Sequence, residues 1–318
     1  MFHIVENRKW YFLLSAFVII PGLLAMIYST IATGLPFKPA IDFTGGSLWE
    51  LKFDKTVEPL QLRTIFVNAG YPDTSVISTG SGNDLQVRSK PLDETARIKI
   101  LDAIKSQISP NVQEVQFSSV GPTIGQEVTH AAVLAVIATS FVILLFLVVA
   151  FNKAPHPFRY GVSAVVAMIH DLIVTLGIFS IFSLFFGWEA DALLLTAVLT
   201  VIAFSVQDTI VVFDRIRENV VKYRGEPFPR IVNRSLLETL HRSLAIHLTA
   251  LFVMSAILIF GGATIKEFIA VLLIGVTTGT YSSIFNAAQI LVGWEERDVL
   301  GLKAKAPAAP QRATSVPA

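Results

Sequence analysis

The chain has 318 residues, 53% of them hydrophobic and only 15% charged, with a formal net charge of +1 and a mean hydropathy of +0.62. Soluble domains carry about 25% charged residues, so a water-soluble globular enzyme is excluded and a polytopic membrane protein is indicated. The absence of cysteine removes disulfides, thiolate nucleophiles and thiolate metal sites.

A membrane span needs about 20 mostly apolar residues. The N-terminal segment 1–10 carries Arg8 and Lys9 and leads into the first apolar stretch, 11–32. That stretch exceeds the roughly 7–15 residues of a signal-peptide core, and Pro21-Gly22 interrupts it; it reads as an uncleaved anchor. Residues 33–129 form the one sizeable water-compatible segment. Within it, GGSLWELKF (45–53) alternates like a half-buried strand, and EPLQLRTIFVNAG (58–70) has helical spacing and stops on Gly70. TSVISTG and DLQVRSK flank the turn at 80–83 as a hairpin. DETARIKILDAIKSQI (93–108) is an amphipathic helix with Asp93 as its cap, and VQEVQFSSV (112–120) closes as a strand. The order βαββαβ is that of a ferredoxin-like domain. No Ser/His/Asp set accompanies it, so no catalysis is expected there.

Further spans follow at 130–151, 160–186, 191–213, 240–262 and 267–293, with a loop at 214–239 and a tail at 294–318. From Leu302 the tail is Ala/Pro-rich and basic, a composition of disordered segments. Lys and Arg concentrate in the N-terminus, the 152–159 and 214–239 loops and the tail, whereas the short loops on the other side hold only Lys266. By the positive-inside rule both termini are cytoplasmic and 33–129 is extracytoplasmic. No nucleotide-binding loop, metal-ligand spacing or internal repeat is present, so no cofactor, metal or nucleic acid is expected.

Four ionisable residues interrupt the spans: Asp171, Asp208, Arg242 and His247. At 1.5 Å per residue, Asp171 and His247 lie about 22 Å from the outer ends of their spans, Asp208 about 25 Å and Arg242 about 30 Å. Ionisable groups at such depth are costly and default to a functional reading. Depth alone allows Asp208 and Arg242 to meet between antiparallel helices. A carboxyl in such a place is drawn to its neutral form by loss of water and to its charged form by a guanidinium, which is the chemistry of a proton relay. Plain alternatives stand beside this: a structural carboxylate in Asp208, local hydrogen bonding by Asp171, a positive-inside anchor in Arg242 and a satisfied core histidine in His247. Asp214, Arg215, Arg217 and Glu218 read as a solvated helix extension, and Gly275 and Gly279 as small residues that let helices pack closely.

Several motifs, in order, resemble the SecF family of the bacterial Sec protein-export apparatus: IDFTGG (41–46), VGPTIG (120–125), HD (170–171), DTIVVFDRIREN (208–219), TLHRS (239–243), FGG (260–262) and GTYSSIF (279–285). The likeness spans about residues 2–293, and Asp42, Gly45, Gly46, Gly121, Pro122 and Gly125 fall on its motifs. The single short exported domain favours SecF over its paralogue SecD. The resemblance implies half of a resistance–nodulation–division fold: six transmembrane helices with a ferredoxin-like domain between the first two. It implies pairing with SecD, assistance to the SecYEG channel, contacts with YajC, YidC and the translocating preprotein, and use of the proton motive force in the plasma membrane. It also places the family's intramembrane acid and base on Asp208 and Arg242, with Asp171 on the carboxylate of span three. Gln207 departs from the family's usual Asn, and His247-Leu248 stand where small or hydroxyl residues are expected. Two other readings compete: half of a proton-coupled solute exporter, and a passive assembly factor.

Overall fold

The structure, a computed structural model, describes residues 4–79, 83–152, 154 and 156–298. Most of the expected hairpin turn, and the tail expected to be disordered beyond residue 298, lie outside the described residues. Among the described residues, six helices are long and apolar enough to cross a membrane.

Helix α1 (Arg8–Thr33) ends on Gly34 at φ +84°, where a left-handed residue closes the helix. A single turn, α2 (Ile41–Thr44), precedes the small domain, which runs β1 (Gly46–Lys52), α3 (Pro59–Asn68), β2 (Ser75–Thr79), β3 (Asp84–Ser89), α4 (Glu94–Gln107) and β4 (Gln113–Val120). The strands lie in the order β2-β3-β1-β4, all antiparallel, which is the split βαβ arrangement expected. Trp49 and Leu51 of β1 and Leu85 and Val87 of β3 point to one face and pack with Leu62 and Phe66 of α3 and Ile100 and Ile104 of α4. Period-two alternation sends Glu50 and Gln86 to the other face, where they are hydrogen-bonded to each other at 3.1 Å. Asp93 accepts the amide of Ala96 at 2.7 Å and starts α4.

The remaining helices are α5 (Pro122–Ala150), α6 (Pro157–Phe186), α7 (Ala192–Lys222), α8 (Phe228–Phe260) and α9 (Ala263–Ser282). A π turn (Ser283–Ala287) carries α9 into α10 (Ala288–Glu296) as one span. These helices outrun the apolar stretches of the sequence. Helix α7 continues to Lys222 on the pairs Arg217–Asp214 and Arg215–Glu218, each at 2.7 Å and three residues apart. Helix α8 starts at Phe228, with proline in its first turn. What composition marks as a loop at 214–239 is thus mostly helix, and the small domain ends at Val120 because Pro122 opens α5 directly after β4.

Helices α6, α7 and α9 form the centre of the bundle, with α1 and α5 against α6 and α8 against α7 and α9. Glycine sets the closest approaches. A Cβ on Gly22 would stand 2.8 Å from the Cα of Gly177, so α1 and α6 meet backbone to backbone. One on Gly275 would run into a methyl of Val201, and one on Gly279 would stand 3.4 Å from the Cα of Ser205.

Candidate functional site: a buried carboxylate pair

The small domain is fastened to one end of the bundle by the family-like motifs. Gly45 (φ +71°) and Gly46 (φ +131°) take left-handed conformations that a side chain would strain. A Cβ on Gly45 would meet Pro122, and one on Gly125 would meet the Gly45 amide at 2.8 Å, so the two glycine motifs close on each other. Gly121 has open space around it and sits at the start of α5. Asp42 accepts the amide of Ala192 at 2.9 Å at the start of α7. Residues 38–40 pair with Ala190, and Glu189 binds both Lys38 and Arg88 of β3. The α6–α7 turn is therefore a fixed joint between domain and bundle.

In the bundle core Asp208 is 5% exposed. Its Oδ1 accepts the hydroxyl of Ser243 (α8) at 2.7 Å and its Oδ2 that of Ser283 in the π turn. Asp171 of α6 is fully buried and accepts the hydroxyls of Ser205 (α7) at 2.6 Å and Ser282 (α9) at 2.5 Å. Its other oxygen lies 3.0 Å from Nδ1 of His170. Asn286 donates from Nδ2 to His170 Nε2 at 3.1 Å and to Ser15 of α1 at 2.9 Å. With Nε2 accepting, Nδ1 carries the ring proton and donates to Asp171. Two consecutive serines, Ser282 and Ser283, thus each hold one carboxylate, and the network extends across the bundle to α1. Both carboxylates meet neutral donors in place of a formal counter-charge, apart from the imidazole beside Asp171. A π turn at such a place is a recurrent feature of functional helices.

Arg242 and His247 are found at the same site in different relations. Phe204, Gln207, Asp208, Arg242, Ser243 and His247 all line a small cavity of about 50 Å3 between α7 and α8. The expected Asp208–Arg242 contact is not made: among the described residues Arg242 forms no ion pair, and its neighbour Ser243 holds the carboxylate. Depth brings the two to one cavity, but successive helical residues differ by 100° around the axis, and that rotation faces Ser243 toward Asp208. His247 places Nδ1 2.8 Å from the Ser243 carbonyl, a bond within its own helix. Gln207 lies on the cavity wall next to Asp208. The serines are the partners that residue-type reasoning passes over. Ser282 and Ser283 fall in the family-like GTYSSIF segment (279–285), but their residue type does not mark them as partners of the carboxylates. Among the described residues, no group of three or more His, Asp or Glu converges as a metal site.

Six apolar helices with a split βαβ domain between the first two define a multi-pass membrane protein, and comparison with known proteins narrows the class. The chain matches the family model for the C-terminal region of protein export membrane proteins SecD/SecF over residues 100–297 and the SecD/SecF GG motif over 31–57. It is 43% identical to the protein translocase subunit SecF of Thermobaculum terrenum over 311 residues, covering 94% of this chain and 96% of that protein. It is 41% identical to SecF of Vibrio alginolyticus, covering 79% and 78% of the two chains. The crystal structure of SecDF from Thermus thermophilus, described as a translocon-associated membrane protein, superposes with a TM-score of 0.76 at 30% identity. That match covers 93% of this chain and 39% of the other, so this chain spans about two fifths of the SecDF protein. A second SecDF structure, in a super-membrane-facing form, gives a TM-score of 0.64. The chain belongs to the SecF family of protein translocase subunits.

Proposed function

We propose that this chain works with a SecD partner as a proton-driven accessory subunit, not an enzyme, that helps the SecYEG channel complete preprotein export at the outer face of the plasma membrane. In this reading both termini are cytoplasmic and the sheet domain is extracytoplasmic, as the distribution of Lys and Arg favours. The pairing with SecD is supported by relatives in which this region is one part of a single SecDF chain.

Asp208 is the proton-carrying group, Arg242 its fixed counter-charge and Asp171 a second carboxylate in the same network. The observation that carries the reading is Asp208 itself: a buried carboxyl inside an apolar bundle, held by two serine hydroxyls beside a cavity that Arg242 also lines. An ionised carboxylate accepts from both Ser243 and Ser283. A neutral one carries a donor of its own and requires a different arrangement of hydroxyls. Gain of a proton therefore changes which contacts join α7 to α8 and to the π turn. Loss of the proton leaves a charge that Arg242, always cationic, can approach by a modest rotation of α8. Two protonation states then favour two packings of the bundle, and the joint at the α6–α7 turn passes that difference to the sheet domain. His247 serves the packing of α8 through its bond to Ser243 and stands next to the relay.

The test is Asp208→Asn in the full chain assembled with SecD and SecYEG. Proton-dependent preprotein release is expected to fall to the level seen without this subunit, while co-purification with SecD is unchanged. Undiminished release would reduce Asp208 to a structural carboxylate.

A further inference from the structure

A second cavity, well removed from the Asp208 site, lies at the end of the bundle away from the sheet domain. The first turn of α6, the α7–α8 turn and the end of α10 enclose about 320 Å3 there, at the small end of the roughly 300–1,000 Å3 typical of ligand sites. Val220, Phe228, Ile231 and Leu291 give it an apolar floor. Tyr160 forms part of its wall and is 2% exposed, with its ring stacked on Phe151 at 5.5 Å and edge-on to Phe213 at 5.4 Å. Its hydroxyl is buried and, among the described residues, has no hydrogen-bond partner. Buried hydroxyls are nearly always paired, and the cavity it borders is the space from which a ligand can supply the missing partner.

Four charged residues line the cavity, Arg159, Arg224, Glu226 and Glu295, and among the described residues only Arg224 of these forms no ion pair. Glu295 is engaged by Arg159, and Glu226 by Arg234 at 3.2 Å; Arg234 also lies 3.9 Å over the ring of Tyr223. Arg224, exposed on the α7–α8 turn, forms no ion pair among the described residues. One spare guanidinium, one unpaired hydroxyl and an apolar floor suit a singly charged phosphodiester attached to hydrocarbon. The level in the bundle agrees: Tyr160 opens the apolar run of α6 and Leu291 is among the last apolar residues of α10, so the cavity straddles the boundary between hydrocarbon and headgroups. We propose that it binds the phosphodiester headgroup of an anionic phospholipid, with Arg224 on the phosphate and the Tyr160 hydroxyl donating to one of its oxygens.

A soluble organophosphate shares the phosphate chemistry, and the experiment separates the two. Native mass spectrometry of the full-length protein would be run with dioleoyl-phosphatidylglycerol, with dioleoylglycerol (the same chains without phosphate) and with glycerol 3-phosphate (phosphate without chains). Phosphatidylglycerol is expected to stay bound, weakened about tenfold by Arg224→Gln and several-fold by Tyr160→Phe, and neither control to bind comparably. Tyr160→Phe keeps the ring that packs on Phe151, and Arg224 is on an exposed turn, so both variants remain folded; an unchanged melting temperature checks this. Unaltered phosphatidylglycerol affinity in both variants would overturn the site. Equal binding of dioleoylglycerol would overturn the phosphate contact, and equal binding of glycerol 3-phosphate would overturn the lipid assignment.

Discussion

The sheet domain and the membrane bundle are built on opposite plans. In the domain Trp49, Leu51, Phe66 and Leu85 are buried and the polar residues face out, as the hydrophobic effect requires in water. In the bundle Phe17, Phe141, Phe252 and Phe260 are exposed, while Asp171, Asp208, Ser205, Ser282 and Asn286 are buried. Lipid is as apolar as leucine, so burying leucine there specifies little; small residues and hydrogen bonds decide which helices meet. The domain is therefore held by volume, the bundle by fit and by polar contacts. The second plan buries two carboxyls, Asp171 and Asp208, within the hydrogen bonds that join the helices.

Substitutions that reverse each plan should hurt one region and spare the other. The largest stability effect is expected for Trp49→Ala, which empties the centre of the domain core and should cost about 3–5 kcal/mol. Hydrogen exchange should rise in β1, β3 and α4 with the α6–α9 core unaffected. Gly275→Val is the converse, because any Cβ there runs into Val201. Overpacking of this kind costs about 1–3 kcal/mol, so monodisperse protein recovered from membranes should drop while exchange in the domain is unchanged. Asp93→Ala removes the cap of α4 and should cost about 1 kcal/mol, again confined to the domain.

The smallest effect concerns acid. Hydrogen bonds from Ser109, at 2.7 Å, and from Asn111 hold the Asp54 carboxyl below its ordinary value of 3.8. A depressed folded-state value contributes stability above the unfolded value and loses it as pH falls through the folded one. The domain of Asp54→Asn should accordingly lose less stability than wild type as pH is lowered below about 4, read as exchange across β1 and the end of α4.

The same contrast explains how much could be read from sequence. The domain's strands and helices are legible to within a residue or two because alternation, Gly70 and Asp93 mark them directly. The spans are legible as apolar runs, but their ends are not: α7 crosses into charged sequence on Asp214–Arg217 and Arg215–Glu218 pairs that composition alone marks as loop. Asp171 and Asp208 stand out because acids are rare in apolar helices. Their partners do not, since serine is common in such helices and its role depends on rotation about the axis. Arg242 and Ser243 are adjacent in sequence and equally deep, yet only the serine reaches the carboxylate. Similarly, Gly45 and Gly125 are evident as motif glycines, but that they close on each other depends on how α5 leaves β4.

Asp208 is proposed to gain and lose a proton within the bundle. Infrared difference spectroscopy of the full-length protein with its SecD partner, recorded between acid and alkaline buffer in lipid, measures this through the carbonyl stretch of a protonated buried carboxyl. A titrating band that disappears in Asp208→Asn is expected. A spectrum identical in wild type and Asp208→Asn would contradict it.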